Sequence, residues 1–190
     1  MRSPIADLLT DLSRALRQLG MPWYLFGAQA SIVYGVARLT ADVDVTVRAP
    51  SAPPVREWLP VIEQHGFRRR VDDPAFIEHS RVIPLVHETT GLPVDLVLAG
   101  PGLEDELLAR AVTHSIGDVD VPVVEVSDLV ILKVLAGRPK DIEDVLTLLR
   151  VQGPRIDVQR VRHVLALLEE ALGQSDLLAT FEQARSRSGA

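Results

Sequence analysis

Apolar residues recur at helical spacing at the beginning of the chain and alternate with polar residues farther on. The spacing of leucines from Leu8 to Leu19 predicts an amphipathic helix over residues 3–19 that ends at Gly20. A turn at Thr90–Gly91 between two apolar runs predicts a hairpin. The other elements predicted in this half are helices at 29–34, 54–65 and 104–113 and strands at 23–26, 43–47, 67–71, 81–88, 93–98 and 116–125.

From Ser127 onward the pattern is helical throughout. Ser127 and Asp128 predict the start of a helix that reaches Ala136, and three more helices are predicted at 139–150, 157–172 and 176–187. The pattern predicts an α/β (α+β) fold, with a mixed α/β half to about residue 126 and an all-helical half beyond it. We expect a core at residues 1–126 and a helical C-terminal lobe at 127–190 packed on it, and the Pro-rich segment at 49–54 is predicted to be a turn or linker.

Asp42 and Asp44 lie two residues apart in a predicted strand. Successive strand residues point to opposite faces, so the two carboxylates share one face, about 7 Å apart along the strand. Carboxylates held in this way repel each other unless a positive charge lies between them. Hard oxygen ligands suit Mg²⁺, which usually takes its remaining ligands from water and phosphate. The pair therefore predicts an enzyme that acts on a nucleoside triphosphate (NTP).

Asp95 is a third acidic residue in a predicted strand, within the apolar run PVDLVLAG. A carboxylate in an inner strand needs a partner, a hydrogen bond or a metal ion. If this strand is a neighbour of the Asp42–Asp44 strand, about 4.8 Å away, three carboxylates converge. They are then sufficient for two Mg²⁺ (or Mn²⁺) ions about 3.5–4 Å apart. The alternative is that Asp95 ends an edge strand and faces water.

Gly27 precedes a short predicted helix, and Ala28 and Gln29 follow it. A glycine at this position lets the backbone approach a ligand closely, and helix N-termini offer N–H groups to anions. Arg38 and Thr40 lie just before the acidic strand. An arginine there can pair with phosphate in a fork geometry, or it can be an ordinary surface arginine.

Composition and charge limit the classes of function. A net charge of −6 argues against broad, non-specific nucleic-acid binding, although a local basic groove stays open. The chain has no cysteine, which excludes disulfides and thiolate metal sites and fits a reducing cytoplasm. The N-terminal segment lacks the pattern of a signal peptide, and no apolar run approaches the length that spans a membrane.

The two lysines of the chain, Lys133 and Lys140, fall in one short stretch. Apolar neighbours surround Lys133, so its ammonium group is either partly desolvated or extended to the surface on its apolar stem. Asp141 and Asp144 are three residues apart and share one helix face. They either contribute to the active site or simply favour the start of their helix, by about 0.3–1 kcal/mol each.

The order and spacing of these residues resemble the nucleotidyltransferase superfamily of the DNA polymerase β type. The tail SDLVILKVLAGRPKDIEDVLTLL is similar to the continuation in the AbiEii/MenT-like group, the enzymatic toxins of type IV toxin–antitoxin systems. The resemblance covers about residues 20–150, and the residues that carry it in the first half are Gly27, Ala28, Gly35, Arg38, Thr40, Asp42, Asp44 and Asp95.

The resemblance implies a small mixed sheet that carries the three aspartates, with a helical C-terminal lobe that closes the nucleotide cleft. It also implies that NMP passes from an NTP to a hydroxyl while pyrophosphate leaves. Asp42 and Asp44 are expected to ligate both metals, and Asp95 to complete the catalytic metal site and favour deprotonation of the acceptor hydroxyl. The implied acceptor is RNA, such as a tRNA 3′ end, or a protein, and the implied partner is a cognate antitoxin. The residues implied in nucleotide binding are Gly27, Ala28, Gln29, Arg38, Thr40, Lys133, Lys140 and Asp141.

Two other functions stay open. A small-molecule (antibiotic) nucleotidyltransferase fits the negative net charge, because an acidic cleft suits a cationic drug. A catalytically degenerate nucleotide-binding or antitoxin-like module fits Ala28, where much of the superfamily has Ser or Gly. A second Asp-x-Asp at Asp118 and Asp120 lacks the upstream turn and is predicted to be a polar turn or exposed edge. The run Arg68–Arg70 is either a solvated strand end or a contact for RNA phosphates.

Overall fold

A computed structural model describes residues 3–51 and 54–189. Residues 52 and 53 of the predicted linker at 49–54 lie outside this part. The elements follow one another as α1 (Pro4–Gln18), β1 (Trp23–Phe26), α2 (Gly27–Val33), β2 (Val43–Val47), α3 (Val55–Gln64), β3 (Phe67–Arg69), α4 (Pro74–Ser80), β4 (Val82–His87), β5 (Pro93–Leu98), α5 (Leu103–Arg110), β6 (Val112–Ile116), β7 (Val119–Val123), α6 (Val126–Ala136), α7 (Pro139–Gln152), a 3₁₀ turn (Gly153–Arg155), α8 (Val158–Leu172) and α9 (Leu177–Ser188).

The chain divides into two compact units. Unit 1 comprises Met1–Gln29 and Leu39–Val124, and unit 2 comprises Ala30–Arg38 and Glu125–Ala190. Among the described residues, every strand belongs to unit 1, and unit 2 is helical. Helix α2 begins in unit 1 and ends in unit 2. The predicted division between residues 126 and 127, and the packing of the lobe on the core, stay predictions. Over the described ranges, no helix is long and apolar enough to cross a membrane.

Unit 1 is built on one mixed sheet with the strand order β3-β4-β5-β2-β1-β7-β6. Strands β2 and β5 pair in parallel, as do β1 and β7, and the other neighbours pair antiparallel. The mixed α/β fold predicted from the sequence is therefore confirmed. Strands β2 and β5 are central, and their alternating apolar residues Val43, Val45, Val94 and Leu96 are fully buried. The residues between them, Asp44 and Asp95, consequently point to the opposite face.

Two regions of unit 1, residues 74–80 and 103–123, differ from the sequence prediction. The pattern predicts nothing over residues 74–80, yet α4 forms there, with Pro74 in its first turn and the side chain of Asp73 accepting a hydrogen bond from the Ala75 N–H. None of its side chains is buried, so no apolar periodicity marks it. The helix predicted at 104–113 ends at Arg110, and β6 forms over Val112–Ile116 instead. The strand at 116–125 is predicted with a turn near Gly117–Asp118, and the chain does turn there, between β6 and β7 of one hairpin.

Unit 2 is a helical bundle in which α6 packs on α7 and α8, and α9 packs on α7. Helix α6 begins one residue earlier than predicted, because the side chain of Glu125 caps it by accepting a hydrogen bond from the Ser127 N–H. The predicted cap residues are instead buried and hold α8: the Ser127 hydroxyl accepts from the Asp157 N–H, and Asp128 accepts from Arg160 at 2.7 Å.

Candidate active site

Asp44 and Asp95 are direct neighbours on the parallel strands β2 and β5. They are paired in register, as are Val43 with Val94 and Val45 with Leu96. Residues paired in this way point to one face of the sheet and lie one strand spacing apart, about 4.8 Å. Both aspartates are only partly buried, in contrast to the apolar residues that flank them. The expected adjacency of the two acidic strands is therefore present.

Asp42 lies one residue before β2 and is exposed. Its backbone N–H donates a hydrogen bond to the Thr40 hydroxyl at 3.3 Å. Thr40 thus holds the short segment that leads into the acidic strand.

Gly27 approaches Asp44 so closely that no other residue type fits. It follows Phe26, which pairs with Asp44 across β1 and β2, and its φ of +66° lies in the left-handed region. A Cβ atom at this position would lie 2.1 Å from Oδ2 of Asp44. The backbone turn and the carboxylate therefore form one compact group, and Ala28 and the buried Gln29 continue it into α2.

Arg70 contacts Asp95, and the sequence interpretation did not include this arginine in the site. Its Nη2 donates to Oδ1 of Asp95, and its Nε donates to the Leu85 carbonyl at 2.9 Å. The neighbouring Arg69 pairs instead with Glu63 and Asp72. No signal in the Arg68–Arg70 run distinguishes these arginines, because the difference depends on which strands lie beside β3.

The donor set on this face fits a hard divalent cation. Among the described residues, no three carboxylate or imidazole side chains are gathered closely enough to hold a metal ion. Two carboxylates in register, with a glycine packed against one of them, nevertheless supply the oxygen ligands that Mg²⁺ and Mn²⁺ prefer. A third carboxylate, that of Asp42, lies one residue before β2, the strand that carries Asp44.

A second group of charged side chains lies inside unit 2. Lys133 is 4% exposed, and its Nζ donates to Oδ2 of Asp144 at 2.6 Å and to Oδ1 of Asp141 at 3.3 Å. Arg38 also donates to Oδ2 of Asp144, at 2.5 Å, and the Ser31 hydroxyl lies 3.4 Å from the same oxygen. The lysine is thus desolvated, as one of the two sequence interpretations expected, and its charge is compensated by two carboxylates.

Asp141 is ionised in this cluster. Burial raises the pKa of its carboxyl, but the hydrogen bond from Arg138, together with the charge and hydrogen bond of Lys133, outweighs burial and holds the pKa below its ordinary value. Lys140, which the sequence interpretation also assigned to nucleotide binding, is exposed.

The predicted site residues are therefore divided between the units. Unit 1 holds Asp42, Asp44, Asp95, Gly27, Ala28, Gln29 and Thr40, and unit 2 holds Arg38, Lys133, Lys140 and Asp141. Within unit 2, Asp144 is the acceptor shared by Lys133, Arg38 and Ser31, and the only sequence signal for it was its spacing from Asp141.

The second Asp-x-Asp lies in the β6–β7 hairpin, away from the strands that carry Asp44 and Asp95 in the sheet order. Asp118 is in the turn, and the Ser115 hydroxyl donates to Oδ1 of the exposed Asp120 at 2.5 Å. This agrees with the predicted polar turn.

A family model described as "Nucleotidyl transferase of unknown function (DUF2204)" matches residues 6–175. No curated protein sequence matches the chain significantly. The similarity in sequence therefore extends over most of both units.

Three solved proteins have similar folds. The solution structure of the antibiotic-resistance factor ANT(2″)-Ia has a TM-score of 0.61 at 16% identity and covers 91% of this chain and 97% of that chain. A nucleotidyltransferase-like protein from Paracoccidioides brasiliensis has a TM-score of 0.55 at 16% identity, with coverages of 96% and 94%. The lincosamide antibiotic adenylyltransferase LnuA, bound to lincomycin, has a TM-score of 0.53 at 14% identity, with coverages of 77% and 96%.

Proposed function

We propose that this chain, which belongs to the family of nucleotidyl transferases of unknown function, transfers NMP from an NTP to a hydroxyl acceptor. Family membership confirms the predicted superfamily and the enzyme class, and the similar structures confirm the fold. The AbiEii/MenT-like subgroup, the metal dependence, the acceptor and the site residues are parts of this proposal.

One observation carries the proposal: Asp44 and Asp95 lie side by side on the central parallel strands, with Gly27 against Asp44. Two like charges one strand spacing apart repel each other, and this repulsion raises the free energy of the folded protein. Arg70 offsets part of this cost at Asp95, and divalent cations bound between the carboxylates and a phosphate offset more of it.

In the proposed reaction, Asp42, Asp44 and Asp95 hold two Mg²⁺ or Mn²⁺ ions. When bound, such ions polarise phosphate oxygens and lower the pKa of an attacking hydroxyl. Asp95 favours deprotonation of the acceptor hydroxyl, and the glycine turn leaves room for Asp44 and for the NTP backbone contacts expected of Gly27 and Ala28. The nucleotide-binding roles of Gln29, Thr40, Arg38, Lys133, Lys140 and Asp141 stay predictions.

For the acceptor, we propose an RNA such as a tRNA 3′ end, or a protein hydroxyl, as in a type IV toxin with a cognate antitoxin in the cytoplasm. The support is the similarity of the tail from Ser127 to Leu149 to that group. Growth arrest on expression, abolished by Asp44→Asn and relieved by the product of a neighbouring gene, is the expected result.

A small cationic acceptor is the second candidate, and the charge distribution favours it. Unit 1 contains 16 of the 26 acidic residues and 10 of the 20 basic ones, so the unit with the acidic strands carries the whole net charge of −6. An acidic surface attracts cations and repels RNA phosphates. ANT(2″)-Ia and LnuA, which share the fold, are an antibiotic-resistance factor and an antibiotic adenylyltransferase.

The test is transfer of α-labelled NMP. Purified protein with Mg²⁺ or Mn²⁺ receives each NTP together with total cell RNA, cell protein or a set of aminoglycosides and lincosamides. We expect label in one acceptor class with the wild type, and a loss of at least about 10²-fold in Asp44→Asn.

Asp120→Asn is the matched control, because it removes one carboxylate from the other Asp-x-Asp and is expected to leave transfer unchanged. Equal transfer by Asp44→Asn and the wild type contradicts the proposed site. NTP binding without transfer to any acceptor, or no NTP binding at all, makes the degenerate nucleotide-binding module the better interpretation.

A further inference from the structure

Arg70 lies in a row of residues that crosses the sheet and includes two of the three aspartates of the proposed function, Asp44 and Asp95. The Arg70 N–H donates to the Pro84 carbonyl at 2.8 Å, Pro84 pairs with Asp95, and Asp95 pairs with Asp44. Residues paired in register share one face of a sheet. The guanidinium and the two carboxylates therefore belong to the same face, with the positive charge at the β3 end of the row.

The guanidinium of Arg70 is held in place by β4 as well as by Asp95. Its Nε donates to the Leu85 carbonyl at 2.9 Å, in addition to the backbone bond to Pro84. These two bonds direct Nη2 toward β5, where it donates to Oδ1 of Asp95. Both side chains of the Arg70–Asp95 pair are 40% exposed, so the pair is partly solvated and its net stabilisation of the fold is small.

We infer that Arg70 is a positioning residue that orients the Asp95 carboxylate and weakens metal binding there in the nucleotide-free protein. The inference rests on the proposed function, because it takes Asp95 as a metal ligand. Two effects oppose the metal: Arg70 engages one of the two carboxylate oxygens, and its charge repels a divalent cation at the other. The triphosphate of an incoming NTP supplies negative charge that offsets this repulsion. The arginine consequently favours filling of the metal site together with the substrate.

The test is Mn²⁺ binding to the full chain without nucleotide, measured from the electron paramagnetic resonance signal of free Mn²⁺. We expect Arg70→Gln to bind Mn²⁺ about tenfold more tightly than the wild type, the scale of one nearby unit charge at a partly exposed site. A purely structural role predicts the opposite sign, because a loosened site binds metal more weakly. Thermal melting confirms that the variant is folded, and added Mn²⁺ is expected to raise its Tm more than that of the wild type.

Arg69→Gln is the matched control, because it removes the same charge from the adjacent residue, whose partners are Glu63 and Asp72. It is expected to leave the Kd for Mn²⁺ within about twofold of the wild type, since exposed charges farther away are screened. In an Asp95→Asn background, Arg70→Gln is expected to change the Kd less than in the wild type, because the carboxylate that Arg70 engages is absent and only the repulsion by its charge remains. If Arg70→Gln does not fold, Arg70→Lys serves instead and is expected to retain the wild-type Kd within about threefold, because it keeps the charge.

The outcomes separate this inference from the proposed function. One outcome overturns the inference and leaves the metal site in place: Asp44→Asn loses Mn²⁺ binding, but Arg70→Gln binds Mn²⁺ no more tightly than the wild type. The inference is also overturned if Arg69→Gln tightens Mn²⁺ binding as much as Arg70→Gln does, because the gain in affinity then depends only on the net charge of the protein. Absence of Asp44-dependent Mn²⁺ binding, with NTP as well as without it, overturns the metal site and with it the inference.

Discussion

The aspartates of the two units are used in opposite ways. In unit 1, Asp44 and Asp95 lie next to each other on one sheet face and are partly exposed. In unit 2, Asp141 and Asp144 are 2% and 6% exposed, and Lys133 and Arg38 bond to them directly. A buried carboxylate needs a cation from its own chain, whereas a partly exposed pair can take one from solution.

The charge balance of each unit follows the same division. Unit 2 has ten acidic and ten basic residues and is neutral, while unit 1 carries the net charge of −6. The difference indicates that the charged cluster of unit 2 is complete within the protein. On the face with Asp44 and Asp95, the Arg70–Asp95 pair is partly exposed, with both side chains 40% accessible to solvent. Substitutions that remove one charge are therefore expected to affect stability in unit 2 and ligand binding in unit 1.

The largest expected effect on stability is that of Lys133→Met. The variant leaves two carboxylates buried without their ammonium partner, which costs about 3–5 kcal/mol of the free energy of unfolding. Lys140, the other lysine of the chain, is exposed. Lys140→Met is therefore expected to change the free energy of unfolding by about 0.5 kcal/mol or less. Urea unfolding of both variants measures the difference. Similar values for the two lysines contradict the distinction between the units.

Gly27→Ala is expected to have the next largest effect, in unit 1. Its new Cβ overlaps the Asp44 carboxylate, and the left-handed backbone at φ +66° adds strain. Gly91→Ala has the same kind of backbone, at φ +71°, but meets no atom within 4 Å. We expect the backbone strain to lower the free energy of unfolding of both variants by about 1–2 kcal/mol. The overlap is expected to lower that of Gly27→Ala by about 1–3 kcal/mol more.

The unfolding free energy and the Mn²⁺ affinity of both glycine variants test this expectation. Only Gly27→Ala is expected to weaken Mn²⁺ binding, because only there does the methyl group displace a carboxylate. Equal Mn²⁺ affinities of the two variants contradict the expectation that the glycine turn shapes the metal site.

The smallest expected effect is a change in pH dependence in Arg138→Gln. The pKa of Asp141 in the folded state lies below its ordinary value. Its ionised form therefore contributes stability at any pH above the unfolded-state pKa, and this contribution is lost as the pH falls through the folded-state pKa. Removing the Arg138 hydrogen bond raises the folded-state pKa. Since Arg138 is 61% exposed, we expect a loss of about 1 kcal/mol or less at neutral pH.

This loss is expected to shrink below about pH 4, where Asp141 becomes protonated in the unfolded chain and then in the folded one. Urea midpoints at neutral and acidic pH measure it. Arg56→Gln, at an exposed contact with Glu57, serves as the control and is expected to show no such trend. A loss in Arg138→Gln that grows in acid contradicts the assignment of Asp141 as ionised.

Local patterns predicted much of the fold and part of the site. The helices α1, α7, α8 and α9 and the strands β1 and β2 lie within about two residues of their predicted positions, because their apolar periodicity reports which side faces the core. Helix α4 escaped prediction because it buries no side chain, and β6 because its strand character shows only in its pairing with β7. The pattern left the adjacency of the Asp44 and Asp95 strands as a condition, and only the family resemblance implied that one sheet carries both.

By itself, the sequence predicted most of the helices and strands, that Gly27 begins a turn, and that Asp42, Asp44 and Asp95 are unusual in strands. These features depend on interactions among residues a few positions apart. Tertiary structure alone decided that Arg70 pairs with Asp95, 25 residues away, and that Lys133 and Arg38 both contact Asp144. Such partners depend on the order of strands and the packing of helices, which bring distant residues together and therefore leave no signal in the spacing along the chain.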